Sequence, residues 1–86
     1  MEPFKKGQAY YIRTLQYHWT GRVVTASDAW LVLEDAAWIA DGGRYSQAVD
    51  EAHLREVEPR DGQVIVSTAS IIDAVEWLTP LPRRVK

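Results

Sequence analysis

Apolar and polar residues alternate along several short stretches of the chain, which is the pattern of half-buried β-strands. Residues 8–19, QAYYIRTLQYHW, are rich in β-branched and aromatic side chains and predict a first strand. Residues 22–26 alternate into a second strand, and turn residues at 27–29 lead to a third strand that starts at Trp30. The pattern therefore predicts a hairpin between the second and third strands.

The third of these stretches, residues 30–40, is apolar at both its odd-numbered and its even-numbered positions (both parities), and is interrupted only by Glu34 and Asp35. Neighbouring residues of a strand point to opposite faces of the sheet, so this strand would be buried on both sides. We expect one face to pack against the chain's own core. We expect the bend and the far end of the strand to be covered by another subunit.

Two more strands are indicated near the end of the chain. Residues 63–67, QVIVS, are a compact β-branched run and predict a strand. Residues 71–78 give conflicting signals, because Ser70 and Asp73 resemble a helix start whereas Ile71 favours a strand. Local pattern alone does not decide between the two.

The remaining segments are less regular. The segment from Ser46 to Ala52 fits either a short helix or a loop. Two prolines within residues 79–82 end regular structure, because proline lacks an amide donor and restricts the residue before it. We therefore expect one domain over residues 1–86, with a core at about 8–78 and a mobile basic tail at 79–86.

The number and length of the strands predict the fold class. Four or five short strands are too few for two full sheets, and they predict an all-β domain whose strongly bent sheet closes as a five-stranded small barrel. A chain of 86 residues buries only about 60 to 65% of the surface that its unfolded form exposes. Because the chain has no cysteine for disulfides or thiolate metal sites, oligomerisation is the expected source of added stability.

Charge and hydropathy narrow the choice of partners. The formal net charge of −2 gives no overall attraction to phosphate, so nucleic-acid binding would need a local basic patch. The first ten residues lack the apolar run of a secretory signal, and no stretch approaches the ~20 apolar residues of a membrane span. We therefore expect a cytoplasmic protein that does not enter the membrane.

The predicted hairpin, TGRVVTASDAWLVLEDA at residues 20–36, resembles the first sequence motif of the Sm and Sm-like (Lsm and Hfq-type) small β-barrels. That motif has a glycine, alternating apolar residues, an aspartate at the turn, and an aromatic and aliphatic strand that ends in acidic residues. The matching places are held by Gly21, Val23, Asp28, Trp30, Leu31, Leu33 and Asp35. VIVSTASIIDAV at residues 64–75 is similar to the second motif, and this similarity favours a strand at Ile71.

The resemblance covers about half the chain and is greatest to short Sm-like proteins of phage origin. It implies an SH3-like, bent five-stranded barrel that assembles into a homo-oligomeric ring of about five to seven subunits, in the host cytoplasm if the chain is phage-encoded. Neighbouring subunits of such rings pair strand edge to strand edge, which removes the exposed edges. The interface residues that it implies here are Val64, Val66, Ile71, Val75 and Trp77.

The resemblance also implies RNA binding, but the expected RNA-reading residues are replaced. Sm-like proteins that bind uridine-rich RNA carry an asparagine in the third strand and an arginine followed by glycine after the fourth. Those places hold Val32, which cannot hydrogen-bond a base edge, and Ser67 followed by Thr68, which cannot pair with phosphate as arginine does. We therefore expect only weak binding of RNA or another single strand, through base stacking on Trp30 and phosphate contacts of Arg83, Arg84 and Lys86.

Motifs for catalysis or metal binding are absent from the sequence. His18 and His53 do not have the spacing of a metal site. Glu34 and Asp35 are neighbours on one strand and point to opposite faces, so they are a poor general acid and base pair. The chain also lacks a nucleophile motif and a phosphate-binding loop. We therefore expect a non-enzymatic protein without a cofactor or a metal.

Two functions remain open on these grounds. The first is a ring that binds single-stranded nucleic acid weakly. The second is a structural or adaptor ring that holds protein partners and binds no nucleic acid. The four tryptophans and four tyrosines fit either function, because aromatic side chains stack on bases and are also enriched in protein interfaces.

Overall fold

A computed structural model describes residues 3–41 and 54–85, and the predicted all-β class is confirmed. The described residues form six antiparallel strands and one 3₁₀ turn. In chain order these are β1 (Ala9–Thr14), β2 (His18–Ala26), β3 (Trp30–Asp41), β4 (Glu56–Pro59), β5 (Val64–Ser67), the 3₁₀ turn (Thr68–Ser70) and β6 (Ile71–Glu76). No helix in this part of the chain is long and apolar enough to cross a membrane. The segment from Ser46 to Ala52, with its expected helix or loop, lies outside the described residues.

The sheet is organised around β3, the longest strand. β2 pairs with one edge of β3, while β5 and β4 pair with the other edge, beside residues 30–33 and 37–41 respectively. β4 and β5 therefore lie end to end, like one strand that is interrupted at residues 60–63. β1 pairs with β2 and with β6, which gives the order β4-β3-β2-β1-β6. The sheet of described strands is open, because β6 is not paired with β5, and closure into a barrel stays a prediction.

The strand limits differ from the sequence-based prediction in two places. The stretch at residues 8–19 is not one strand: a tight turn separates β1 from β2, and the Thr14 N–H donates to the Tyr17 carbonyl at 3.0 Å across it. The pattern also does not predict β4, because Val57 is the only fully buried side chain in that strand. The conflict at Ile71 is resolved in favour of a strand, β6.

A β-bulge at Asp35 changes which side chains of β3 face each side of the sheet. Thr20 pairs with Ala37 and Arg22 pairs with Glu34, so β3 carries one more residue than β2 between these two pairs. Asp35 has a φ of 49°, a left-handed conformation that aspartate tolerates better than most residues with a side chain. An added residue shifts the alternation by one, so the face that each later side chain occupies is exchanged.

The bulge explains why β3 is apolar on both parities. Before it, Leu31 and Leu33 are buried in one core. After it, Ala36 belongs to that same core, whereas Ala37 and Ile39 are buried in a second core. One strand therefore contributes to two cores, because its odd-numbered apolar residues face the first core before Asp35 and the second core after it.

The two cores lie on opposite faces of the sheet. The first contains the buried residues Tyr10, Ile12, Val23, Leu31, Leu33, Ala36 and Val66. The second contains Tyr11, Ala37, Ile39, Leu54, Val57, Trp77 and Leu81. β1 also contributes to both, because its alternate residues point to opposite faces. Each core is small, so we expect both to be needed for a stable domain.

The cover over the second face comes from the same chain. Leu54 precedes β4, and Trp77 and Leu81 follow β6, with exposed fractions of 6%, 2% and 7%. The Trp77 ring stacks on the Tyr11 ring with centroids 6.0 Å apart, and its indole N–H donates to the Pro80 carbonyl at 3.2 Å. The chain therefore covers one face of the far end of β3 itself, at Ala37 and Ile39. On the other face Ala40 is exposed and Trp38 is only half-buried, so cover of this end by a second subunit stays a prediction.

Leu81→Ala tests whether the residues after β6 are part of the domain or belong to the expected mobile tail. Leu81 is 7% exposed and Leu78 is 83% exposed, so the two leucines form a matched pair. We expect Leu81→Ala to lower the free energy of unfolding by about 2 to 4 kcal/mol, because it leaves a cavity in the second core. Leu78→Ala should change it by no more than about 0.5 kcal/mol. Urea denaturation followed by circular dichroism measures both, and equal effects would contradict the packing described for Leu81.

Candidate functional site

The outer edges of β5 and β6 have no partner strand in the described part of the chain. Each unpaired edge exposes backbone N–H and C=O groups that can pair with another chain. The 3₁₀ turn connects these two strands directly. These are also the strands to which the Sm-like resemblance assigns subunit pairing, so the edges are a candidate assembly site.

The side chains that the sequence predicts at the subunit interface face mainly inward. Val66 and Trp77 are buried in the two cores, and the half-buried Val64, Ile71 and Val75 pack against them. The exposed apolar side chains of these strands are their neighbours, Ile65 at 64% and Ile72 at 56% exposure. A bulge in β6 contributes to this arrangement, because Ile72 is the additional residue opposite β1.

Trp30 lies on an exposed apolar surface together with Val32 and Ile65, which we call the Trp30 patch. Trp30 is 54% exposed and lies at the start of β3, next to the end of β5. The Thr68 hydroxyl closes this corner by donating to a carbonyl of the β2–β3 turn at 2.6 Å. None of the described side chains that line the patch is basic. The patch therefore suits apolar contact better than recognition of a phosphate or a base edge.

The first arginine of the basic tail is directed towards a carboxylate. Arg83 Nη1 lies 3.3 Å from Asp35 Oδ1, and Arg22 Nη1 lies 2.6 Å from Asp35 Oδ2. The hydrogen bond from Arg22 is the main cause that holds the pKa of Asp35 below its ordinary value, and Arg83 lowers it further. Arg84 is exposed, and Lys86 lies outside the described residues. The tail therefore presents less free positive charge than its sequence indicates.

A further cluster of partly exposed aromatic side chains has no role in the sequence analysis. Trp19 and Trp38 are directly opposite on β2 and β3. The Tyr17 ring meets both edge to face, at centroid distances of 6.1 Å and 5.7 Å. These three rings, with Glu58 and Arg60, line an open cleft of about 280 Å³, which we call the aromatic cleft.

The register of β2 and β3 creates the aromatic cleft. Trp19 and Trp38 are far apart in the sequence. Trp38 lies beyond the bulge at Asp35, so its pairing with Trp19 depends on the register after the bulge. Without that extra residue, the parity of Trp38 would place it on the opposite face. The only sequence signal is the presence of several aromatic residues around His18, which does not by itself identify a cleft.

His18 has a structural partner. Its Nδ1 is hydrogen-bonded to the Tyr11 hydroxyl at 2.7 Å. Burial is the main cause that lowers the pKa of His18, and the charge of Arg13 lowers it further while Asp73 opposes the change. In the described ranges, no three carboxylate, histidine or cysteine side chains come close enough together to hold a metal ion. His53 lies outside those ranges.

No protein-family model matches the chain, and searches of curated proteins and of solved structures found no match either. The resemblance to Sm-like proteins therefore stays a prediction that rests on residues 20–36 and 64–75. Function has to be inferred from the strand edges, the Trp30 patch and the aromatic cleft.

Asp35→Asn tests the ion pairs at the bulge. Because the pKa of Asp35 is lowered in the folded chain, its ionised form stabilises the fold above the unfolded pKa of about 3.9, and this contribution is lost as the pH falls through the folded pKa. Asparagine also tolerates the left-handed backbone. We expect the variant to be less stable than the parent at neutral pH, with a difference that narrows below about pH 3.9.

Urea denaturation across a pH series measures this difference. Asp61→Asn is the control, because Asp61 is exposed and has no ion pair among the described residues. The control should match the parent at every pH. A destabilisation by Asp35→Asn that stays the same down to the lowest pH would show that charge is not its cause.

Proposed function

We propose that this chain is a non-enzymatic, Sm-like subunit whose bent sheet forms a small barrel with the outer edges of β5 and β6 left unpaired, that copies of it assemble into a homo-oligomeric ring, and that the ring binds single-stranded nucleic acid weakly. The observation that carries the proposal is the pair of unpartnered edges on β5 and β6, each with an exposed isoleucine. Ile65 and Ile72 together with two rows of free backbone groups are a costly surface for a monomer. Pairing β5 of one copy with β6 of the next removes both edges at every contact.

The geometry of such a contact favours a closed ring over a symmetric dimer. β5 and β6 are different strands, so joining one to the other is a heterologous contact, which closes only when the rotation between copies completes a circle. The Trp30 patch lies beside the β5 edge, and Ile65 belongs to both. A neighbouring copy that pairs with β5 can therefore cover Ile65 as well as backbone groups.

Few groups of the ring are available to bind nucleic acid. Trp30 is exposed enough to stack on a base, which contributes roughly 1 to 3 kcal/mol per base in single-strand binders. The places that read uridine in Sm-like proteins hold Val32 and Ser67, and Arg83 is paired with Asp35. Binding should therefore be weak, depend on phosphate contacts, and show little preference among bases.

The alternative is a ring that acts as a structural or adaptor scaffold for protein partners and binds no nucleic acid. The apolar lining of the Trp30 patch and the Asp35 partner of Arg83 favour this alternative. Both functions require the ring, and they differ in whether the ring binds single-stranded nucleic acid or protein partners. Assembly and nucleic-acid binding are therefore tested separately.

Ile65→Lys tests assembly through the β5 edge. Native mass spectrometry of the parent at micromolar concentration should give one species at about five to seven times the 9.8 kDa chain mass. Lysine on an edge strand opposes pairing with another chain, so Ile65→Lys should give mainly monomer that keeps the circular dichroism spectrum of the parent. It should unfold at a lower temperature, because it loses the stability that assembly adds. Leu78→Lys is the control, because Leu78 is 83% exposed and lies outside the strands. A monomeric parent, or an Ile65→Lys oligomer of unchanged size, would refute assembly through this edge.

Fluorescence anisotropy tests nucleic-acid binding. Uridine, adenine and mixed-sequence oligonucleotides should bind the parent with similar weak affinity that falls steeply as salt increases. Each neutralised phosphate contributes a slope of about −0.7 in log affinity against log salt for single strands. Deleting the residues from Arg83 onward should flatten this dependence and abolish most of the binding. Tight uridine-selective binding that survives the deletion would indicate a working base pocket near Trp30, and absence of binding at low salt would favour the scaffold.

A further inference from the structure

We propose that the aromatic cleft of Tyr17, Trp19, Trp38, Glu58 and Arg60 binds a proline-rich segment of a partner protein in the polyproline II conformation. This goes beyond the proposed ring and does not depend on it. The cleft lies on β2, β3 and β4 and on the β1–β2 turn, away from the outer edge of β6. It can therefore be filled on one subunit whether or not subunits assemble.

The shape of the cleft favours an extended chain over a small molecule. The cleft is open to solvent, whereas small-molecule sites usually bury most of the surface of their ligand. Its walls are rings that stand nearly perpendicular: Tyr17 makes interplanar angles of 75° with Trp19 and 83° with Trp38. Such a notch accepts the ridge of a proline ring, and proline-rich segments dock in aromatic-lined grooves of this kind.

The hydrogen-bonding groups of the cleft also favour this ligand. The indole N–H groups of Trp19 and Trp38 have no acceptor among the described residues, and neither does the guanidinium of Arg60. A polyproline II segment exposes backbone carbonyls, and its prolines have no N–H to satisfy. A surface that offers mainly donors is therefore complementary to a ligand that offers mainly acceptors.

The charges of the cleft argue against single-stranded nucleic acid. Surfaces that bind single strands combine aromatic rings with a positively charged groove. Here the single positive group, Arg60, lies beside the negative Glu58, and neither has an ion-pair partner in the described ranges. The two charges leave no net attraction for a phosphate chain. The same two charges give no net attraction for an organic cation either, so only the three rings would attract one.

The chain provides an internal example of the same recognition. After β6, the Trp77 indole N–H donates to the Pro80 carbonyl at 3.2 Å, within the proline-rich residues 79–82. The Trp77 ring is stacked on Tyr11, so an aromatic pair and an indole donor together hold a proline-rich segment. The aromatic cleft has the same elements, an aromatic cluster and free indole donors, but no proline-rich segment of the described chain lies in it.

The test uses the full chain with 5-fluorotryptophan in place of tryptophan, so that the four tryptophans give four ¹⁹F resonances. Single Trp→Phe variants assign them. Decaproline, at concentrations up to about 1 mM, should shift the resonances of Trp19 and Trp38 in a saturable way and leave those of Trp30 and Trp77 in place. A glycine–serine peptide of equal length should shift none.

Tyr17→Ala supplies the matching variant, because Tyr17 lies in the β1–β2 turn and is 41% exposed. It should weaken decaproline binding roughly tenfold, as expected for a central aromatic residue of a binding site. Trp30→Phe, outside the cleft, should leave the affinity unchanged. The Trp77 resonance reports whether each variant keeps the second core.

The proposal is overturned if decaproline shifts neither Trp19 nor Trp38, or if the glycine–serine peptide shifts them equally. It is also overturned if an oligothymidine shifts them and decaproline does not, which would make the cleft a base-stacking surface. The titration of the parent decides these points even if Tyr17→Ala does not fold. An unchanged affinity in a folded Tyr17→Ala protein would likewise refute the role of the cleft.

Discussion

The left-handed backbone of Asp35 adds one residue to β3, and the side chains beyond it point to the opposite faces from those before it. The neighbouring strand accommodates this bulge with Gly21, where a Cβ would lie only 3.0 Å from the Leu33 Cβ. The two cores follow from this exchange of faces, because Leu33 packs in the first core and Ala37 packs in the second. The position of Trp38 in the aromatic cleft follows from it as well. A straight β3 would bury one face only and would leave its far half on the wrong side.

The same residue connects the bulge to the end of the domain. The Asp35 carboxylate accepts hydrogen bonds from Arg22 on the paired strand and from Arg83, which lies two residues after Leu81 of the second core. The covering segment of Trp77 and Leu81 is thus held by packing on one side and by an ion pair on the other. The chain covers much of its own second face, and in its described part the edges of β5 and β6, the Trp30 patch and the aromatic cleft are surfaces open to partners. Each of these is small and lies on strands that the cores hold in place.

Local sequence patterns were enough for the features that depend on alternation within one segment. They gave the β2–β3 hairpin and the all-β class, and the motif similarity at residues 64–75 gave β6 its correct type. The break at Leu15 was not predictable in this way, because the turn contains neither glycine nor proline. β4 was not predictable either, since it is a strand only because it pairs with the far half of β3. Both omissions concern structure that depends on a distant partner.

The candidate sites were less predictable than the fold, for a related reason. The apolar run of β5 does not by itself indicate which alternate residues face the core, and the structure buries Val66 and exposes Ile65. Trp30 was a candidate only through the Sm-like resemblance, and the structure shows that it is 54% exposed. The aromatic cleft was missed because it needs the register between β2 and β3. The ion pair of Arg83 with Asp35 was missed because it joins residues 48 positions apart.

The pairing of β1 with β6 has a consequence for how the chain is made. Arg13 on β1 is hydrogen-bonded to Asp73 on β6, 60 residues later, and the second core is not complete until Leu81 is present. At translation rates of about 5 to 20 residues per second, some 2 to 8 seconds separate the synthesis of Asp41 from that of Leu81. During that interval the nascent chain has made its most apolar strand but none of the residues after β6 that cover it. The protein therefore cannot complete its fold strand by strand as it leaves the ribosome, because the second core closes only after Leu81 has emerged.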